Sequence, residues 1–169
     1  MSKICIELTD GRKMNLELYP EYAPISVENF LSLVKENFFD GLCFHRVIEG
    51  FMIQGGGFEY KGGLVHKESA KTIKGEFRVN GVPNDLKHEK GVISMARTNM
   101  PNSASSQFFI CVEDVPYLDG QYAAFGKTID EESLNVAIDI SKVATHYEGY
   151  YGDIPDEPIV IKTISLIEE

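Results

Sequence analysis

The sequence predicts a mainly β protein with two helices, built either as an antiparallel barrel or as a sandwich. Short runs in which apolar and polar residues alternate are separated by turn residues, as in antiparallel sheets. Only two stretches have apolar residues at helical spacing. Leu, Ile, Val and Phe are spread along all 169 residues without a linker, so we expect one domain spanning residues 1–169. The pattern alone does not choose between a barrel and a sandwich.

The first elements are predicted to be a hairpin and a helix. Residues 4–8 and 14–18 alternate with a period of two around Asp10-Gly11, which is a strong hairpin signal. Pro24 opens the first helix, and Ser26 is expected to cap its first turn. The apolar face of this helix follows the spacing i, i+3, i+4, i+7. It consists of Val27, Phe30, Leu31 and Val34.

The middle of the chain predicts a β segment followed by loops. Residues 42–53 are rich in β-branched and aromatic side chains and are interrupted at Glu49-Gly50. Three consecutive glycines at residues 55–57 end this segment. Residues 59–90 are polar, with scattered glycine, lysine and asparagine. They predict long loops with one short strand at residues 76–79.

The second half of the chain predicts strands around one more helix. Three strands are expected at residues 91–96, 107–112 and 123–129. Asp130 is expected to cap the second helix, with acidic residues favourable in its first turn. One face of that helix is expected to consist of Leu134, Ala137, Ile138 and Ser141. A loop rich in tyrosine and glycine at residues 147–158 leads to a last strand at 159–167.

Composition excludes several classes of partner. The net charge of −10, from 26 acidic and 16 basic residues, would repel the phosphates of nucleic acid. No apolar run approaches the ~18 residues of a membrane span, and the N-terminus has no long apolar region of a signal peptide. Cys5, Cys43 and Cys111 lie far apart, which argues against disulfides or a zinc site. We therefore expect a cytoplasmic protein without nucleic-acid or membrane partners. We also expect it to be a monomer.

Several chemical motifs are present only in part. Gly126-Lys127-Thr128 lacks the glycine spacing of a phosphate-binding loop and falls in a predicted strand. The histidines His45, His66, His88 and His146 show no paired metal-ligand spacing, so hydrogen-bonded or surface imidazoles are favoured. No serine lies in a nucleophile elbow. Hydrolytic, covalent and metal chemistry therefore have little support, and no cofactor is expected.

Two segments carry most of the functional information: FHRVIEGFMIQGGG at residues 44–57 and SMARTNMPNSASSQFFI at residues 94–110. Strand alternation puts apolar side chains on both faces of each segment. One set can fill a core, and the other forms an apolar patch suited to a small binding pocket. Met52 and Phe109 belong to this second set, and the pattern fits packing beneath a loop equally well. For Arg46 alone, an ion-paired surface arginine is the simpler interpretation.

The same two segments resemble the signature of the cyclophilin-type peptidyl-prolyl cis/trans isomerases, with bacterial members as the better match. The order and spacing continue through LDG…FGK at residues 118–127 and across nearly the whole chain. The resemblance implies an eight-stranded antiparallel closed β-barrel capped by two α-helices, with a peptide groove on its outer face. It also implies that no cofactor is needed.

The resemblance assigns roles to individual residues. Arg46 corresponds to the catalytic arginine of the family. The walls of the proline pocket correspond to Phe51, Met52, Phe109 and Leu118. Gln54 and Gln107 match the amides of the groove, and Ala96 with Arg97 lies along the strand that contacts the substrate backbone. Tyr117 and Tyr122 stand where many eukaryotic members have a tryptophan and a histidine, so the resemblance implies weak cyclosporin binding.

The implied reaction explains these residue types. Rotation about an Xaa-Pro bond faces a barrier of ~18–20 kcal/mol, and turnover near ~10³ per second requires lowering it by roughly 7 kcal/mol. The twisted amide has a free lone pair on nitrogen, which a permanently charged arginine stabilises. The first hypothesis is an isomerase acting on proline-containing peptides and on unfolded or partly folded proteins. A proline-peptide binding module or chaperone-like holdase is the alternative, and a barrel with a ligand inside is a weaker third.

Overall fold

The computed structural model describes residues 2–67, 69 and 71–168. Within these ranges the chain forms two α-helices, α1 at Pro24–Lys35 and α2 at Glu131–Ser141. The strands in chain order are β1 Ser2–Leu8, β2 Lys13–Leu18, β3 Phe44–Ile48, β4 Met52–Gly55, β5 Phe58–Tyr60, β6 Leu64–His66, β7 Val92–Met95, β8 Phe108–Cys111, β9 Ala124–Thr128, β10 Thr145–Glu148, β11 Tyr151–Pro155 and β12 Ile161–Glu168.

Eight of these strands form one antiparallel, strongly curled sheet in the order β12-β1-β2-β9-β7-β8-β4-β3. Its two edge strands meet only at a narrow seam, a single bridge between Cys43 and Val160. Three backbone hydrogen bonds cross this seam, from Phe44 N to Ile159 O, from Ile161 N to Leu42 O and from Gly41 N to Ile161 O. Beyond the seam, β3 lies against β11 instead of β12. The barrel is therefore mainly β as predicted, but "closed" overstates this short seam.

The core lies inside the curled sheet and under both helices. The alternating positions predicted in β1 and β2 are fully buried, from Ile4 to Leu18. At the centre, the ring of Phe30 from α1 lies 5.0–5.5 Å from the rings of Phe39, Phe108 and Phe125. Close-packed aromatic rings fill the interior. This packing argues against the third hypothesis, in which the barrel holds a ligand inside.

The two helix caps differ in how they are made. At α2, the predicted cap is confirmed, because Asp130 Oδ1 accepts a 2.7 Å hydrogen bond from Ser133 N. At α1, the prediction that Ser26 caps the helix is wrong, because Ser26 lies within its first turn. The buried carboxylate of Glu76 takes that place. It accepts hydrogen bonds from Ile25 N, Ser26 N and Ser26 Oγ at 3.1, 2.6 and 2.8 Å.

Several boundaries and loops differ from the sequence-based expectation. The strand predicted at residues 76–79 is absent, since Glu76 turns inward and Arg78–Asn80 forms a 3-10 turn. Two hairpins, β5–β6 and β10–β11, stand in regions that were predicted as loops. Their strands of three to five residues are too short and too mixed in polarity to show a period. On α2, Ile140 is buried, whereas Leu134 and Ile138 are only partly buried.

No helix within the described ranges is both long and apolar enough to cross a membrane. The remaining predicted strands are present as β7, β8, β9 and β12, with each boundary displaced by one or two residues from the prediction.

The Glu76 cap predicts a specific loss of stability. Glu76→Ala leaves two backbone amides and one hydroxyl of α1 without their charged acceptor, so we expect the free energy of unfolding to fall by about 3 kcal/mol. Ser26→Ala removes only one of the three bonds and should cost about 1 kcal/mol. Urea unfolding of both variants measures this difference. Equal and small losses would show that the carboxylate does not cap α1.

Candidate functional site

The outer face of β4 and β8 carries a second apolar cluster, separate from the barrel core. The register pairs Ile53 with Ile110, and both of these side chains lie in the core. Their neighbours Met52 and Phe109 point to the opposite face and are almost fully buried there. The cluster consists of Met52, Phe109, Cys111, Val115 and Leu118, with Ile48, Phe51, Ala96 and Tyr122 packed against it.

A cavity of about 160 Å³ opens above this cluster. Met52, Phe109 and Leu118 are its most buried residues, while Arg46 at its edge is exposed. Its lining consists of Arg46, Phe51, Met52, Gln54, Ala96, Arg97, Phe109, Leu118 and Tyr122. Met52 and Phe109 thus both pack beneath a loop and line a cavity, so the two interpretations of the sequence are compatible. Apolar depth with a polar rim suits a small, uncharged ring.

Arg46 is held at the rim by a chain of amides. It lies directly across the β3–β4 ladder from Gln54, whose Oε1 accepts a 3.3 Å bond from Arg46 Nη1. Gln54 Nε2 in turn donates to Gln107 Oε1 at 3.0 Å. Among the described residues, no carboxylate forms an ion pair with Arg46. Its remaining donors therefore stay available at the mouth of the cavity, unlike those of an ion-paired surface arginine.

Arg97 is anchored within the protein. Its Nε and Nη2 both donate to Gln121 O, at 3.0 and 2.7 Å, and its Nη1 donates to Thr98 O at 2.9 Å. The guanidinium also lies over the rings of Phe77 and Tyr122, at 4.7 and 4.8 Å from their centroids. Arg97 thus fixes one wall of the cavity, and its hydrogen bonds to backbone carbonyls leave few of its donors available to a ligand.

Tyr122 completes this wall with its ring, which meets Phe109 edge-on with the centroids 5.6 Å apart. Two other residues expected at the site lie outside the cavity lining. Gln107 stands behind Gln54, and Tyr117 is 69% exposed with its ring tilted against Phe51 at 6.2 Å. The structure therefore brings nine of the eleven expected residues around one cavity and places the other two beside it.

His88 supports the cavity from behind, a role that no sequence pattern indicated. Its ring stacks on Phe109 at 6.0 Å with an interplanar angle of 17°. Nδ1 lies 3.0 Å from Asp119 Oδ1, and Nε2 lies 2.9 Å from Ser94 Oγ. A carboxylate accepts, so Nδ1 donates and Nε2 accepts from the hydroxyl. Ser94 and His88 are both buried, so this triad orients Phe109 and is no exposed nucleophile.

Burial also determines the ionisation of other groups near the site. Burial lowers the pKa of His88, although the nearby Asp119 opposes this shift. Burial lowers the pKa of His45, which packs against Phe58, to about 4. Burial raises the pKa of the Cys43 and Cys111 thiols to about 11 and about 12. Neither thiol is therefore a thiolate at neutral pH, which rules out a cysteine nucleophile at these two positions.

Comparison with known proteins finds relatives that all belong to one family. Residues 3–166 match the family described as cyclophilin type peptidyl-prolyl cis-trans isomerase/CLD. The chain is 42% identical to a peptidyl-prolyl cis-trans isomerase of Acinetobacter baylyi, covering 94% of this chain and 82% of that protein. It is 38% identical to peptidyl-prolyl cis-trans isomerase B of Escherichia coli, covering 90% and 93%.

Solved structures agree with this result. A crystal structure of a cyclophilin type peptidyl-prolyl cis-trans isomerase from Cryptosporidium parvum has a TM-score of 0.78 and 29% identity. The match covers 99% of this chain and 98% of that chain. A second crystal structure of the same enzyme, obtained in the presence of the dipeptide Ala-Pro, has a TM-score of 0.77.

The buried imidazoles predict acid sensitivity. The pKa of His45 falls from 6.5 to about 4 on folding, so below pH 6.5 the unfolded chain binds a proton that the folded protein does not. The free energy of unfolding should fall by about 2 kcal/mol from pH 7 to pH 5 through His45 alone. Urea unfolding at both pH values, with His45→Phe as a control that lacks this loss, measures the effect. Protonation of His45 near pH 6.5 in an NMR titration would contradict it.

Proposed function

The chain belongs to the cyclophilin-type peptidyl-prolyl cis-trans isomerases, and we propose that Arg46 lowers the rotational barrier of an Xaa-Pro bond held in the apolar cavity. The observation that carries this proposal is the placement of Arg46. Its guanidinium lies at the mouth of the cavity, is hydrogen-bonded to the neutral amide of Gln54, and forms no ion pair with the described carboxylates.

The reaction needs no bond to break. Planar peptide bonds are stabilised by resonance, and the rotational barrier of ~18–20 kcal/mol is the cost of losing it. At the top of the barrier the prolyl nitrogen regains its lone pair and becomes a hydrogen-bond acceptor. A donor that meets this nitrogen only in the twisted state lowers the barrier without stabilising either planar isomer. Arg46 supplies such a donor because a guanidinium stays protonated at every physiological pH.

The cavity holds the prolyl ring while the rest of the bond turns. Met52, Phe109 and Leu118 offer an apolar surface, and Phe51 and Tyr122 add aromatic sides. Burying the ring there excludes water, which otherwise favours the more polar planar amide. The stacked, hydrogen-bonded His88 keeps Phe109 in one orientation, so the cavity is formed before the substrate arrives.

Gln54 and Gln107 orient Arg46 through a chain of two hydrogen bonds. The bond from Arg46 to Gln54 is 3.3 Å long, and Gln107 fixes the amide of Gln54 in turn. A neutral acceptor orients the guanidinium without neutralising its charge, as a carboxylate would. These two amides are therefore positioning residues for Arg46 in this proposal.

The substrates proposed are proline-containing peptides and unfolded or partly folded proteins. The alternative is a module or holdase that binds proline segments in the same cavity without turnover. Binding alone needs the apolar lining, but it does not need a guanidinium at the mouth that is free of ion pairs with the described carboxylates. This difference favours the enzyme that twists the bond, and it makes Arg46 the residue that separates the two hypotheses.

Replacing Arg46 tests the mechanism. In Arg46→Ala, exchange of a short Xaa-Pro peptide, followed by NMR, should slow about 10²–10³-fold, as when one donor to a transition state is removed. Peptide affinity should change much less, because the apolar lining remains. Arg12→Ala removes the same charge at a residue paired with Asp10 and should exchange the peptide at the wild-type rate. Equal losses of turnover and affinity in Arg46→Ala would favour the binding module.

Tyr117 gives a prediction about cyclosporin. A phenol ring at this exposed position offers less apolar surface than an indole and lacks the indole N–H. We expect weak inhibition of the wild-type enzyme. We expect roughly tenfold tighter inhibition in Tyr117→Trp, the equivalent of about 1.4 kcal/mol. An inhibition titration measures both proteins, and tight inhibition of the wild type that Tyr117→Trp does not improve would contradict the role given to this residue.

A further inference from the structure

A second cleft of about 650 Å³ shares Arg46 and Gln54 with the proline cavity. Its remaining lining comes mainly from the β5–β6 and β10–β11 hairpins, including Phe58, Tyr151 and Asp153. The two cavities therefore meet at the proposed catalytic arginine. Successive residues of an extended chain are about 3.3–3.6 Å apart, so a residue near the proline of a bound peptide can reach this cleft.

The walls of this cleft are fixed to each other. Glu148 Oε2 on β10 accepts a 2.7 Å hydrogen bond from the Tyr60 hydroxyl on β5 and lies 2.6 Å from His146 Nε2. His146 Nδ1 lies 2.8 Å from Asp156 Oδ1. The two carboxylates raise the pKa of His146, which favours the charged ring that donates to both. The ring of Phe58 also meets that of Tyr151 edge-on, with the centroids 5.4 Å apart, so side-chain contacts join the two hairpins that line the cleft.

Tyrosine rings line one wall at high exposure. Tyr147 is 78% exposed, Tyr150 is completely exposed, and Tyr151 is half-exposed. All three belong to one five-residue stretch of the β10–β11 hairpin, residues 147–151, and all three line the cleft. Exposed aromatic side chains that gather at one place on a surface mark a site of recognition, since each ring loses apolar contact with water on binding.

One residue of the cleft lining, His45, has an unsatisfied polar atom. Within the described residues, His45 Nδ1 is buried and has no hydrogen-bond partner. His45 is 5% exposed, lines the cleft, and packs against Phe58 with the ring centroids 4.5 Å apart. A buried polar group without a partner is unfavourable, and a ligand that reaches it and hydrogen-bonds to it would remove this cost.

The charges on the lining do not favour an ionic ligand. Arg46 and Asp153 contribute one charge of each sign. A lysine side chain would gain from the tyrosines and Asp153 but would face the guanidinium of Arg46. An uncharged aromatic ring gains favourable contacts with every ring on the wall and is not repelled by either charge. A ring with a hydroxyl also offers a partner to His45.

We propose that this tyrosine-lined cleft is a specificity subsite that binds an aromatic side chain, tyrosine in particular, flanking the proline of the substrate polypeptide. The inference rests on the proposed function and adds the class of substrate to it. It assigns Tyr147, Tyr150 and Tyr151 to selection of the flanking residue and His45 to recognition of its hydroxyl. The enzyme should therefore distinguish proline segments by their neighbours.

The test uses short peptides of equal length with alanine around one Xaa-Pro bond. In each of a further set, tyrosine replaces alanine at one of the two positions on either side. NMR titration with the full chain gives the affinity, and NMR exchange gives the isomerisation rate. We expect one tyrosine position to bind about tenfold tighter than the alanine peptide. Phenylalanine at that position should gain less, and lysine should gain little.

Variants locate the effect. The double variant Tyr147→Ala/Tyr150→Ala should lose the tyrosine preference while it exchanges the alanine peptide at the wild-type rate. Tyr150→Ala alone, at a fully exposed ring, tests the same wall without risk to the fold. Tyr22→Ala, which removes a tyrosine that lies outside the cleft and contacts Tyr19, is the matched control and should keep the preference.

Each remaining outcome has a defined meaning. A tyrosine preference that persists in the double variant, or no preference at any position, would overturn the subsite. A lysine gain equal to the tyrosine gain would overturn its aromatic class, and an equal phenylalanine gain would overturn the role of His45. If no peptide shows accelerated exchange, the proposed function is contradicted and the subsite is not. The subsite is still tested in that case, because the NMR titrations measure the tyrosine preference without turnover.

Discussion

Strand alternation along β4 and β8 is the constraint on which the rest of this structure depends. Because successive side chains point to opposite faces, Ile53 and Ile110 enter the barrel core while Met52 and Phe109 leave it. Two adjacent apolar surfaces arise from one pair of strands. The inner surface packs in the core and stabilises the fold. The outer surface would be an unfavourable apolar patch in water unless a loop or a ligand covered it. The packed core thus forms the back of the proposed binding cavity, so the cavity is present before a substrate binds.

Polar contacts then give this apolar surface its chemistry. Arg46 is oriented by neutral amides, and Phe109 is supported by His88, which itself depends on Asp119 and Ser94. Charge is thus concentrated at the mouth of the cavity and absent from its depth. An enzyme that twists an amide needs this separation, because the ring must be held by apolar contact while one donor waits for the nitrogen lone pair.

Local patterns account for the parts that the sequence predicted well. Period-two alternation located the first hairpin, and the Asp130 cap and the two-faced segments could be read from neighbouring residues. The Glu76 cap of α1 and the His88 support were missed, since each joins residues that come together only on folding. The hairpins that frame the tyrosine-lined cleft were predicted as loops because their strands are short. The extent of barrel closure could not be predicted from local patterns either, because it depends on one bridge between Cys43 and Val160, which are far apart in the sequence.

A crystal structure of the protein with a short Xaa-Pro peptide tests the central claim most directly. The account predicts the prolyl ring against Met52, Phe109 and Leu118, with a guanidinium nitrogen of Arg46 placed to donate to the prolyl nitrogen as the bond twists. A typical N–H hydrogen-bond distance is about 2.7–3.2 Å, and the approach in a planar ground state should be somewhat longer. A ring bound elsewhere, or an Arg46 turned away from the prolyl nitrogen into an ion pair, would contradict the account.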